Sequence, residues 1–148
     1  MPTPKLSITT LLGALGVIPF AVATYLSWAD YDFWGVSAYK LFSTYSAIIL
    51  SFLGGALWGQ LIHDESRQSV KYLLISSNVI ALVAWLALLL GTPTLAIALL
   101  LLGYISIFWV EARSLKLILS PNSTYLNMRL VITSIVCVLH IFMLYPHY

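Results

Sequence analysis

Five blocks of mostly apolar residues follow one another along the chain, separated by short segments rich in turn formers and charge. A helix needs about 20 such residues to cross a hydrocarbon core of about 30 Å. The blocks 7–26, 38–62, 70–90, 93–113 and 126–145 are of that order. The pattern predicts an all-α fold: an integral membrane bundle of five transmembrane helices in a single domain covering 1–148. Local punctuation supports the divisions. Ser37 can cap the second helix, Gly91 can end the third, and Thr92 with Pro93 can start the fourth. So short a link makes the third and fourth helices antiparallel neighbours. Leu115, Leu117, Ile118 and Leu119 around Lys116 carry the fourth helix along the interface until Pro121 stops it. Ser120, Pro121 and Asn122 break the chain there, and Ser123 or Thr124 can cap the fifth helix.

Composition agrees with this threading. Of 148 residues, 61% are hydrophobic and 8% charged, against about 25% charged in an ordinary soluble domain. A chain this short has too little interior to hide so much apolar surface from water, so the excess faces lipid. That excludes a nucleic-acid-binding domain and a disordered linker. The lone Cys137 excludes a disulfide scaffold. Positive charge near helix ends is retained on the cytoplasmic side. With five crossings one face holds Lys5, Arg67, Lys71, Arg113, Lys116 and Arg129, and the other only Lys40. The expected orientation has the N-terminus inside and the C-terminus outside. Lys5, the first apolar run and Ala21-Val22-Ala23 resemble a cleavable leader, but the run is long for one and a retained anchor is expected. Asn122-Ser123-Thr124 fits the glycosylation triplet, yet this topology places it inside.

Several clusters invite a functional reading. Trp28, Tyr31, Phe33, Trp34 and Tyr39 crowd the first outer loop, where amphipathic rings form an aromatic belt. Beside them, Asp30 and Asp32 leave open a lid that attracts cations. On the second helix, small residues recur at every fourth position through Ser43, Ala47, Ser51, Gly55 and Gly59, with Gly54 beside the row. Such a row lets another backbone approach closely. Its occupant is another helix of this chain, a second copy, or a flat cofactor against Gly54, Gly55 and Trp58.

Intramembrane polar residues form the other set, since each is costly unless paired. Glu111 ends the fourth crossing and Arg129 begins the fifth, so a pair joined by Gln60 or His63 would clamp three helices at one level. Asn78 is expected to bond a neighbouring helix, and His140 to act as an interhelical donor. His63, Asp64 and Glu65 are adjacent, but consecutive residues point apart on a helix and no ligand motif supports a metal.

The run from Tyr45 to Gly59, YSAIILSFLGGALWG, resembles the signature of an uncharacterised family of five-helix membrane proteins, domain of unknown function 3429, its specific part being Ser51 to Gly59. That family includes bacterial inner-membrane proteins and a human mitochondrial transmembrane protein. The resemblance implies a multi-pass protein, expected here in a bacterial inner (cytoplasmic) membrane, and implies no activity. Family members often carry a polar or basic residue directly before the Trp, where this chain has Leu57.

No nucleophile elbow, phosphate loop, dinucleotide fingerprint or paired intramembrane Asp is present. No catalytic residue, cofactor or metal is assigned. The expected function is non-catalytic: an assembly, partner-binding or hydrophobic-ligand-binding component acting through close helix contacts. Its expected partners are membrane lipids, a second copy or another membrane protein, and no nucleic acid. The alternative is a small oligomeric transporter or channel lined by Glu111, Arg129, Asn78 and His140.

Overall fold

The first apolar block does not fold as one rod. In the computed structural model, which describes residues 8–64, 66–117 and 123–145, it splits into α1 (Ile8–Leu15) and α2 (Ile18–Trp28). Pro19 is the reason. It offers no N–H to the Leu15 carbonyl, and in a continuous helix its ring would strike that carbonyl. The chain instead closes α1 with bonds from the Gly16 N–H to Leu12 (2.9 Å) and from the Val17 N–H to Ala14 (3.2 Å). Then come α3 (Ala38–Leu61), a single 3-10 turn (Ile62–Asp64), α4 (Gln68–Leu89), α5 (Pro93–Leu117) and α6 (Ser123–Leu144). Five stretches among the described residues are long and apolar enough to cross a membrane: Thr10–Trp28, Ala38–Leu61, Gln68–Leu89, Pro93–Arg113 and Asn127–Leu144.

Helix α3 is central and touches α2, α4 and α5, while α6 closes the bundle against α5, α2 and α1. Ser37 caps α3 by accepting from the Lys40 N–H at 3.2 Å. The turn before α5 differs from the expected glycine cap. Helix α4 ends at Leu89, and Leu90, in extended backbone, makes the turn (φ −72°, ψ 135°), so Gly91 needs no left-handed conformation there. Large apolar side chains such as Phe52, Trp85, Leu89 and Leu102 lie on the outside of the bundle, where lipid would meet them.

The two ends of the bundle differ in chemistry. Arg67, Lys71, Arg113 and Arg129 lie toward the α3–α4 end, here called the basic end. Trp28, Tyr31, Phe33, Trp34 and Tyr145 gather at the other, the aromatic end. There Phe33 and Val36 exchange two backbone hydrogen bonds (3.0 and 2.9 Å) around Trp34 and Gly35, both with positive φ (51° and 76°). Paired positive φ values are those of the tight type I′ turn, which favours Asn and Gly. Trp34 sits in it nonetheless, 90% exposed. Lys5, Glu65 and the Ser120–Asn122 break lie outside the described residues, as do the side chains of Lys116, Ser123 and Thr124.

Candidate functional site

Breaking the first span leaves backbone polar groups to be satisfied inside an apolar environment. The Tyr45 hydroxyl of α3 does this for the Gly16 carbonyl, donating at 2.8 Å. Small Gly13 and Gly16 at the break keep α1 slim, and a cavity of about 340 Å³ opens beside them. Its walls are Leu12 and Gly13 of α1, Gly16 and Val17 of the break, Phe20 of α2, and Ile49, Phe52, Leu53 and Ala56 of α3. Tyr104 of α5 and five residues of α6, from Met128 to Val136, complete them. Among the described residues only Tyr104, Arg129 and Thr133 bring polar side-chain atoms to this lining, and of these Arg129 alone is charged.

Arg129 is held by Glu111. Its Nε donates to Oε1 at 3.0 Å and Oε2 at 3.3 Å, and its Nη2 donates to Oε2 at 3.2 Å. Both residues are buried. Such a fork fixes the guanidinium plane as well as its position. Gln60 and His63, expected to join this pair, are exposed at the end of α3 and in the turn after it. The reason is geometric: Leu57 and Leu61 take the inward positions of the last turn, which leaves Gln60, between them, and His63, beyond them, exposed.

Near the aromatic end a second polar centre is closed to solvent. The Nδ1 of His140 lies 2.7 Å from the Val136 carbonyl, which can only accept, so Nδ1 carries the proton and, in the neutral ring, Nε2 accepts from the Ser46 hydroxyl at 2.7 Å. Tyr104 donates its hydroxyl to the Ser46 carbonyl at 2.7 Å. Rings enclose the group. Phe42 lies 4.7 Å, Tyr104 5.1 Å and Phe20 5.7 Å from the imidazole centroid. Sequence reasoning missed Ser46 and Tyr104 because an unremarkable Ser and Tyr within apolar runs carry no spacing signal. It also missed the cavity, although Gly13, Gly16 and Pro19 in one span were a readable sign of a broken helix.

Within the chain the row of small residues is packed along only part of its length. Ser43 and Ala47 are buried and Ser51 half-buried, but Gly55, Gly59 and Trp58 are exposed. A Cβ placed on Gly55 or Gly59 would meet nothing within 4 Å. The close approach is at Gly54, where a Cβ would come within 3.0 Å of the Ser77 carbonyl of α4. With α4 so near, no flat cofactor fits over Gly54. Asn78 is exposed on α4, beside the inward Ser77. Within the single chain these polar residues thus occupy three separate places: the buried Glu111–Arg129 pair, Asn78 on the exterior of α4, and His140 in the ring-enclosed centre.

The sequence pattern of the family described as protein of unknown function (DUF3429) matches residues 6–145. The chain belongs to the DUF3429 family. Transmembrane protein 69 of Xenopus tropicalis is 42% identical to this DUF3429 chain over 79 residues, covering 53% of the chain and 31% of that relative. The matched stretch thus spans under a third of the relative's length. No solved structure matches. The expected bacterial inner membrane is corrected by this relative, a vertebrate protein that points to a eukaryotic membrane. The multi-pass character stands.

Proposed function

We infer that this DUF3429 protein is a non-catalytic membrane component that binds a hydrophobic ligand in the cavity beside the broken first span. The observation that carries the reading is the cavity itself. Its volume of about 340 Å³ falls within the range of small-molecule sites, about 300–1,000 Å³, and an apolar lining with a few convergent polar groups is their usual composition. Two further features support it. The helix break is stabilised by a side-chain bond from Tyr45, so the opening is built into the backbone. The Ser46–His140–Tyr104 centre is satisfied internally and enclosed by rings, which suits a scaffold better than a reactive group.

Native mass spectrometry tests the reading. The wild-type protein should retain a hydrophobic adduct when released from detergent. Ala56→Phe, which puts a ring into the cavity from the exposed face of α3, should lose it while keeping its thermal midpoint. An adduct equally retained by Ala56→Phe would refute the assignment, as would its absence from the wild type.

A further inference from the structure

The ion pair is set so that the cavity meets only its positive half. Glu111 engages Nε and Nη2 of Arg129 and is absent from the cavity wall, whereas Arg129 forms part of it. No described residue bonds Nη1, and no buried side-chain nitrogen or oxygen among the described residues lacks a partner. Among the described residues Nη1 is therefore left without an acceptor and is not sealed in. The position along the helices matters as much. Arg129 is two residues inside the span Asn127–Leu144, and Glu111 two residues inside the end of Pro93–Arg113. That is the level at which hydrocarbon gives way to headgroups. From Arg129 the α6 wall continues through Ile132 and Thr133 to Val136, about 10 Å deeper at 1.5 Å per residue, where Phe20 faces it.

We propose that the cavity takes a single-chain acidic amphiphile, a long-chain carboxylate whose headgroup accepts from Arg129 at the basic end and whose tail runs inward toward Phe20. The proposal rests on the hydrophobic-ligand reading above and adds the ligand's charge and chain number. The charge follows from the described lining, which holds one cation and no carboxylate, and from the Nη1 donor, which no described residue takes up, on a guanidinium already fixed in its plane. Charge-assisted bonds of this kind are roughly twice as strong as neutral ones, which separates an acid from an alcohol of equal length. The chain number follows from the volume of about 340 Å³, at the lower end of ligand sites, which leaves little room for two tails.

The test uses tritiated dodecanol as probe on purified full-length protein in uncharged detergent at neutral pH, displaced by dodecanoate, dodecanol or phosphatidic acid. Dodecanoate should displace the probe at a concentration about tenfold lower than dodecanol does, a difference of about 1.4 kcal/mol. Phosphatidic acid should do no better than dodecanol. In the double variant Glu111→Gln with Arg129→Gln, which keeps a neutral hydrogen-bonding pair, the acid's advantage should vanish while dodecanol still binds. Equal displacement by acid and alcohol overturns the charge assignment and leaves the hydrophobic-ligand reading intact, as does an acid preference that survives in the double variant. Stronger displacement by phosphatidic acid overturns the single-chain assignment. A probe that shows no saturable binding removes both readings. Should the double variant not yield monodisperse protein, the wild-type ratio of acid to alcohol decides alone.

Discussion

Removing one member of the Glu111–Arg129 pair strands the other charge among apolar side chains, a loss of about 3–5 kcal/mol for a buried pair, whereas replacing both with apolar residues of similar size is often neutral. Glu111→Met should therefore lower the thermal midpoint in detergent sharply, and Glu111→Met with Arg129→Met should recover most of the loss. Additive losses in the double variant would mean that the two side chains act separately. A milder contrast applies at the other centre. Ser46→Ala leaves the buried Nε2 of His140 without a donor and should cost about 1–3 kcal/mol, while Asn78→Ala, on an exposed position of α4, should leave the same midpoint within about 0.5 kcal/mol. The proximity of Glu111 and Arg129 was legible in the chain, because antiparallel neighbours bring residues at similar distances from their link to one level. The outward turn of Gln60, His63 and Asn78 was not, because it depends on which face α3 and α4 present to each other.

Every step of four residues along an α-helix overshoots a full turn by about 40°. The row Ser43, Ala47, Ser51, Gly55, Gly59 thus rotates by about 160° from first to last. It begins buried against the bundle and ends exposed, and of the three glycines of α3 only Gly54, one position off the row, lies against the α4 backbone. Gly54→Ala should destabilise the bundle, since the Ser77 carbonyl is backbone and cannot rotate away, while Gly55→Ala should be neutral or slightly stabilising. Thermal midpoints of the two variants, side by side, check this, and equal effects would remove the α3–α4 approach as the cause. The break between α1 and α2 makes a prediction of the same kind. Pro19→Ala restores a donor for the Leu15 carbonyl and removes the ring clash, so the first span should straighten and narrow the cavity. Weaker retention of the hydrophobic adduct without loss of stability is the expected result. Helix number and approximate limits were readable from apolar block length. The break was underread because a block of the right length hides an interruption inside it.

Side of insertion is a property set by the distribution of charge between the two ends. The basic end carries Arg67, Lys71, Arg113 and Arg129, against Lys40 at the aromatic end, and positive charge near span ends is held on the side from which the chain inserts. The aromatic end has its own reason to lie at the far interface. Trp34 occupies a left-handed position that costs a non-glycine residue about 1–2 kcal/mol, and it is 90% exposed, so apart from stacking on Phe33 at 4.8 Å its ring gains little burial that would offset the strain. A headgroup layer would supply that gain, because Trp and Tyr favour it. Both arguments predict one labelling pattern. With half-buried Cys137 replaced by Ala, single cysteines at Ser66, in the α3–α4 link, and Tyr31, in the aromatic loop, are exposed positions at opposite ends. In sealed membranes of native orientation an impermeant thiol reagent added from the cytosolic side should label Ser66→Cys at once and Tyr31→Cys only after permeabilisation. The reverse order would invert the bundle and put the Arg129 end of the cavity on the far side. Labelling of both from one side would contradict a membrane-spanning α3, and with it the placement of Glu111 and Arg129 at a membrane boundary.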